Sequence, residues 1–575
     1  MKKLGYLVAG SALALTSVMA MATLQDAEPS PTPTAAATVS VPVVQDTGET
    51  RVRRTASIPA NIPSLDELER MSDDQFEELF DLKPKADIPP AARRSLRAVG
   101  VLGEGEGGLQ AAALGPQPAT LVEASLRGNS GRLVSRWGHI LLRRTLASRL
   151  AAPSGMDPVD FAALRTALLV RMGEGNVARA LAQQVDNSAY DSGMSAAAFD
   201  AFVATGDIVG ACPMLEIMRP YDAEDARITI TRDICGAYSG RSGESLRRLE
   251  RARQQGVLPR AEMLLAQRFA GAGGSTRRAV NVEWDESQQL SPFAYGLALA
   301  AGLDVPTGLR DGAGRYYAMV DATAPALPID KRAASSWFAA SNGVLSAQAM
   351  VDLFSLAYGQ GQSEGAVARQ AEQLRLAYVA AEPSARLAAM QDLWAAGGEY
   401  PYGAQVMTAY AAARLPVSDA FEDEAGDLIG SMLSAGLDRN ALRWKNVVAP
   451  GSKGWAMLAL IDPQQGAVGG SAVGDLDETA PLFVAGLVGL GKAENGLAAD
   501  HDIDLARQTR WTRAISAAAD AGSAPLVALL AGLGMQGDGW NRMTPLYLYH
   551  IVRALDKVGL SAEARMIAAE AVARG

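Results

Sequence analysis

The sequence predicts an all-α protein, a right-handed αα-hairpin solenoid set behind an export leader and a disordered linker. Three observations carry that expectation. Hydrophobic residues make up 49% of the 575 while aromatics make up only 6%, and a chain rich in Ala and Leu favours helix on intrinsic propensity. From Ala119 onward, apolar residues recur at helical spacing, with almost no strand alternation. Glycines then punctuate part of the chain at a nearly fixed interval.

The leader occupies residues 1–22. Lys2 and Lys3 precede an uncharged, mostly apolar run from Leu4 to Ala22, which closes on the small-x-small pattern Ala20-Met21-Ala22 that a signal peptidase cleaves. Left uncleaved, the same run would be an anchor, although Gly10, Ser11, Thr16 and Ser17 dilute it. Membrane contact is expected only in that uncleaved form, and a periplasmic location follows from either. Residues 23–63 read as a disordered linker: Pro29, Pro31, Pro33, Pro42, Pro59 and Pro63 are interspersed with Ala, Thr, Ser and Val. Such a stretch buries too little apolar area to offset the entropy of ordering.

Residues 64–82 read as an acidic amphipathic helix. Ser64 with Glu67 has capping-box spacing. Leu65, Leu68, Met71, Phe76, Leu79 and Phe80 form one apolar face; Asp66, Glu67, Glu69, Asp73, Asp74, Glu77, Glu78 and Asp81 fill most of the remainder. The segment either packs on its own chain or docks in a partner's groove, so the six apolar residues are the candidate partner-binding face. Residues 83–118 read as a loop-rich connection. Its glycines Gly103, Gly105, Gly107, Gly108 and Gly115 make no phosphate loop, because no Gly-Lys-Ser/Thr ending follows and no clear strand precedes them.

Residues 119–465 read as the main helical-repeat domain. Gly173, Gly206, Gly240 and Gly274 lie 33, 34 and 34 residues apart. A small residue follows each about five positions on: Ala178, Ala211, Ser245 and Ala279. Gly559 repeats the pattern with Ala564, Ala568 and Ala571. A glycine ends one helix at little steric cost, and the small residue lets the next helix approach closely. Here the chain resembles a degenerate tetratricopeptide-type array, whose period is 34. The first-helix Trp, Leu-Gly and Tyr positions of that family are mostly absent, with Phe202 where the Tyr would stand, and a generic hairpin solenoid fits the same residues. In style the chain is similar to uncharacterised secreted helical proteins of alphaproteobacteria, a resemblance that brings no activity or site. Residues 286–545 keep helical periodicity without the fixed period. The glycine-rich stretch 466–475 is a candidate boundary before a C-terminal helical segment, 476–575.

Cys212 and Cys235, the only cysteines, enclose 22 residues. In an exported protein they are expected to form a structural disulfide; two buried thiols are the alternative. The three histidines, His139, His501 and His550, belong to no HExxH pattern, so no metal or other cofactor is expected. His139 and His550 sit in apolar helical settings and read as packed core. The run Gly532-Leu533-Gly534-Met535-Gln536-Gly537 is superficially similar to part of a lytic transglycosylase motif. It lacks the upstream Glu-Ser, and no catalytic residue is assigned.

The formal net charge of −10 moves to −12 when Lys2 and Lys3 leave with the leader. An acidic chain without a basic stripe gains little from nucleic acid, which is excluded as a partner. The expected function is a non-enzymatic scaffold for another protein of the cell envelope, an analogy from architecture. The alternative is a peptidoglycan-acting enzyme or its accessory subunit.

Overall fold

The computed structural model describes residues 92–218, 225–273, 280–285, 289–312, 314–360, 365–474 and 476–575. The leader, the 23–63 linker, the acidic segment 64–82 and Gly274 lie outside these described residues. Within them the fold is all-α. Extended pairing is confined to three isolated bridges: Val99 with Leu150, Leu102 with Ser148, and Leu133 with Gln536.

The chain opens with α1 (Ala119–Arg127), α2 (Arg136–Ala147), α3 (Pro158–Arg171), α4 (Gly175–Ala182) and α5 (Ser192–Ala204). It continues through α6 (Cys212–Ile217), α7 (Ala226–Gly236), α8 (Ser242–Gln254), α9 (Arg260–Ala272) and α10 (Pro292–Ala300). The middle comprises α11 (Thr307–Gly312), α12 (Tyr316–Thr323), α13 (Ile329–Ser341), α14 (Ala347–Gly359), α15 (Ala366–Val379), α16 (Pro383–Ala396), α17 (Pro401–Ala412) and α18 (Ala425–Ser434). The last part holds α19 (Asp438–Leu442), α20 (Lys453–Ile461), α21 (Ala480–Gly489), α22 (Asn495–Asp500), α23 (Arg510–Asp520), α24 (Ala524–Gly534), α25 (Pro545–Lys557) and α26 (Ser561–Arg574).

Local chemistry sets where these helices begin. Asp157 accepts from the Val159 N–H at 2.7 Å, with Pro158 opening α3. Thr544 and Pro545 do the same for α25. A side-chain cap satisfies an N–H that the helix cannot, and proline at the first position forfeits a donor that had no partner. The exits share one turn. At the end of α3, Gly173 takes φ +76°, where a side chain would be strained. The Glu174 N–H then reaches back to the Leu169 carbonyl at 2.9 Å, closing the helix in a Schellman-type bond. Ala178 and Ala182 follow, both fully buried.

The same backward bond recurs from Asp207 to Phe202 and from Leu560 to Leu555. It also recurs where the sequence shows no fixed period, from Val344 to Ala339, from Leu437 to Met432 and from Lys492 to Leu487. Gly206, Gly240 and Gly559 also have positive φ; Gly240 lies in the kink where α7 runs into α8.

Two stretches of the sequence pack more tightly than loops need to. Between residues 100 and 118, Leu109 and Leu114 are buried. Arg165 anchors the preceding strand-like turn from inside, donating to the carbonyls of Val99 at 2.7 Å, Ser148 at 2.8 Å and Leu146 at 3.2 Å. Burial pushes its guanidinium down to about 9. In the glycine-rich stretch 466–475, Val468 and Val473 join the same core as Leu460 and Leu487, so the core continues across it.

Helices near one another in the chain pack together, as α3 with α5, α12 with α13 and α17 with α18. The ends of the described chain also meet. Helices α24 and α26 pack on α2, and α24 also covers α1. The run 532–537 forms this seam. Val134 N–H donates to the Met535 carbonyl at 2.9 Å, and the Gln536 amide accepts from Ser130 N–H at 2.7 Å while donating to the Gly128 carbonyl at 3.2 Å.

Glu570 completes the closure. Its carboxylate accepts from the Ser135 hydroxyl at 2.6 Å and from the N–H groups of Arg136 at 2.8 Å and Trp137 at 3.0 Å. An anion is thereby held at the positive end of α2. Cys212 and Cys235 are disulfide-bonded, Cα to Cα 5.6 Å, tying the start of α6 to the end of α7.

Glu570→Gln should lower the unfolding free energy by about 3 kcal/mol, the scale for stranding buried charges, as read by urea denaturation. Glu123→Gln, in an exposed pair with Arg127, should stay within about 0.5 kcal/mol of the parent. Replacing both cysteines by serine should cost about 3 kcal/mol by loop-closure entropy, and the same denaturation series measures it.

Candidate functional site

The closure of the chain builds a buried polar hub beneath α2. Arg136, nearly inaccessible, ties α2 to two distant segments. Its Nε donates to the Ser434 carbonyl at 3.0 Å, its Nη1 to the Leu345 carbonyl at 2.9 Å and also to that of Ala340. Burial holds this guanidinium down to about 10. One turn along α2, the His139 ring meets Glu174 at 2.8 Å, and Arg143 donates to the same carboxylate oxygen at 2.8 Å. Arg143 also donates to the Gly343 carbonyl at 3.0 Å. Burial lowers the His139 pKa. Burial alone would raise the Glu174 carboxyl, but His139 and Arg143 bring it below its usual range. A neutral ring facing an acceptor-only carboxylate carries its proton on Nε2.

Beside this hub opens a cleft of about 850 Å³. One wall is α17 and the turn before it. Pro401 opens this helix, and Gly403 lets it press on α13: a Cβ there would stand 2.1 Å from the Trp337 carbonyl oxygen. That approach seats Tyr400 against Phe338, ring centroids 5.2 Å apart. The indole of Trp394, at the end of α16, is fixed by its N–H to the Thr408 hydroxyl at 2.8 Å. Arg132 and Leu133 come from the α1–α2 turn, Arg171 from the end of α3, and Ala573 and Arg574 from the end of α26. Lys453 contributes from the first turn of α20.

Electrostatics give the cleft a sign. Arg132, Arg171, Arg315, Lys453 and Arg574 line it with only three carboxylates, Glu399, Asp427 and Asp538. Those three are engaged: Arg315 holds Glu399 at 3.0 Å, Arg132 lies 3.7 Å from Asp538, and Gln405 donates to Asp427 at 3.3 Å. Arg574 stacks over Tyr402, 4.5 Å from its ring centre, and pairs with Glu570 at 2.6 Å. Arg171 spends its Nε and Nη2 on the carbonyls of Asn129 and Leu126. Burial raises the phenols of Tyr400 and Tyr402, so both stay neutral at ordinary pH. The cleft therefore offers cationic donors framed by aromatic faces, which suits an anionic ligand with apolar or aromatic groups.

Few of these residues stand out in the sequence. Cys212 and Cys235 lie in the α6–α7 unit and are not among the cleft lining. Gly173, Gly206, Gly240 and Gly559 make turns; Leu65, Leu68, Met71, Phe76, Leu79 and Phe80 lie outside the described residues. His139 is buried in the hub and His550 in the core, the latter with its Nε2 unpartnered. Among the described residues no group of three His, Cys, Asp or Glu side chains is placed to hold a metal ion. The cleft assembles from the α1–α2 turn, α3, the α12–α13 region, α17, α20 and α26, so no local motif marks it. The nearest sequence signal is the triplet Tyr400-Pro401-Tyr402.

His139 and His550 both have lowered pKa values in the folded protein, burial being the first cause. Unfolded histidines take up protons below about pH 6.5, so their contribution to stability is present above that pH and lost as pH falls. Asp160 works in the opposite sense. Burial and its hydrogen bond with Asp191 raise it to about 6, so its contribution fades as pH rises through that value. The decisive comparison is therefore His139→Gln against the parent: urea midpoints at pH 5 and pH 7 should differ less in the variant.

No known protein family, curated protein or solved structure matches this chain.

Proposed function

We propose that this chain is an exported, non-enzymatic helical scaffold that holds a segment of another cell-envelope protein in the cleft beside α17. The observation that carries the reading is the lining itself: arginines and large aromatics converge in one concavity from segments hundreds of residues apart. Arg, Tyr and Trp are the residues that dominate protein–protein binding energy when buried together. The repeated glycine turn, with small buried residues after it, supports a hairpin array of tetratricopeptide type as the scaffold. The leader 1–22 supports export to the periplasm, and the Cys212–Cys235 bond is of the kind an oxidising compartment permits. Among the described residues no helix is long and apolar enough to cross a membrane.

Crosslinking in living cells, followed by capture of the mature chain, tests the reading. One envelope partner should be recovered with the parent protein. Recovery should fall about tenfold with Tyr400→Ala, the scale of losing an aromatic anchor, while helical circular dichroism is unchanged. Equal recovery with parent and variant would sink the assignment of the cleft. Clearing of cell-wall sacculi by the purified protein would favour the peptidoglycan enzyme instead.

A further inference from the structure

We propose that in the free protein the cleft is occupied by the chain's own acidic segment, residues 64–82, which a partner must displace. The inference rests on the reading of the cleft as the binding surface.

Charge is the first argument. The segment carries eight carboxylates and a single basic residue, Arg70. The cleft keeps cationic donors unspent. The Lys453 ammonium makes no hydrogen bond to any described residue. Arg171 has Nη1 to spare, and Arg574 has Nε and Nη2, since its hydrogen bonds to described residues all run through Nη1. The hub behind the cleft adds to this sign, because Arg136, Arg143 and Arg574 face only Glu174 and Glu570 there. In a chain of formal net charge −10, the segment is the chain's own stretch of matching opposite sign.

Apolar fit is the second argument. Phe76 and Phe80 lie four residues apart among the acidic residues, and Phe338, Tyr400 and Trp394 offer aromatic faces in the cleft. Edge-to-face and offset contacts between such rings add to the area they bury.

Reach is the third. The Arg94 N–H donates to Asp186 at 2.8 Å, just beyond the end of α4. That helix leads back to Gly173 and the cleft residue Arg171, and its eight residues span about 12 Å. The chain between Leu82 and Ala92 can extend to about 33 Å, enough to carry the segment from that anchor to the rim.

The test uses the full mature chain with a photocrosslinking phenylalanine analogue at Phe76 or Phe80. Mass spectrometry should find adducts on peptides containing residues 394–402 or 573–574. Lys453→Glu should lower the adduct yield about threefold, the scale of an exposed ion pair, and added salt should lower it further. Lys453 is exposed, and Glu77→Gln with Glu78→Gln leaves the described body untouched while producing the same fall. Adducts elsewhere on the body, or none, overturn the proposal. Adducts joining isotopically light to heavy chains in a mixed sample overturn it too, assigning the cleft to a second copy. Cleft-dependent partner capture without segment adducts would remove this inference and leave the scaffold; segment adducts without any captured partner would keep the inference and remove the scaffold.

Discussion

A buried carboxylate at the N-terminus of one helix sets the register in which the two ends of the described chain meet. Glu570, near the C-terminus, takes hydrogen bonds from Ser135 and from the first N–H groups of α2. Those donors have no partner inside their own helix. Burying them would cost free energy without an acceptor, and burying the carboxylate would cost more without donors. Each solves the other's problem, but only if residues more than four hundred positions apart are brought into register. Arg136 then extends the constraint to α13 and α18 by spending its guanidinium on backbone carbonyls. Buried charge of this kind is weak as a source of net stability and strong as a source of specificity, because any other arrangement strands it.

The cleft is a consequence of that closure. Arg574 is drawn to Glu570 and stacks on Tyr402, so the same end of α26 that seals the hub presents a cation to the cavity. Arg171 arrives from α3 already tied to the carbonyls of Asn129 and Leu126, and Tyr400 arrives because Gly403 lets α17 lie close on α13. None of these side chains is placed by its own helix alone.

Much of the architecture is legible in the sequence. The Ala- and Leu-rich helical periodicity announced an all-α chain, and the even pair of cysteines announced the bond now seen between α6 and α7. The glycine interval pointed to Gly173, Gly206 and Gly240, and the small residues after Gly559 pointed to a further turn; all four glycines have positive φ. It did not reach the turns after Ala340, Leu433 and Val488, which use the same backward hydrogen bond at irregular spacing, because a turn is a local event and a period is a property of repeat length. The loop-like reading of 100–118 missed Leu109 and Leu114, which are buried in the core. The suggestive run 532–537 is a seam between the two ends of the described chain, and the amide of Gln536 serves Ser130 and Gly128 there.

The sequence by itself determined the class of element, the caps that start the helices, the turns that end them, and the sign of the chain's overall charge. These depend on residues within about one helical turn of each other, and such interactions are written in order along the chain. Only the tertiary structure decided that the first helices meet the last, that an acidic protein gathers five cations around one cavity, and that His139 sits neutral against Glu174. Those outcomes depend on distances between residues far apart in sequence. The burial that shifts a titration or aligns a guanidinium on a ring exists only once the packing is complete.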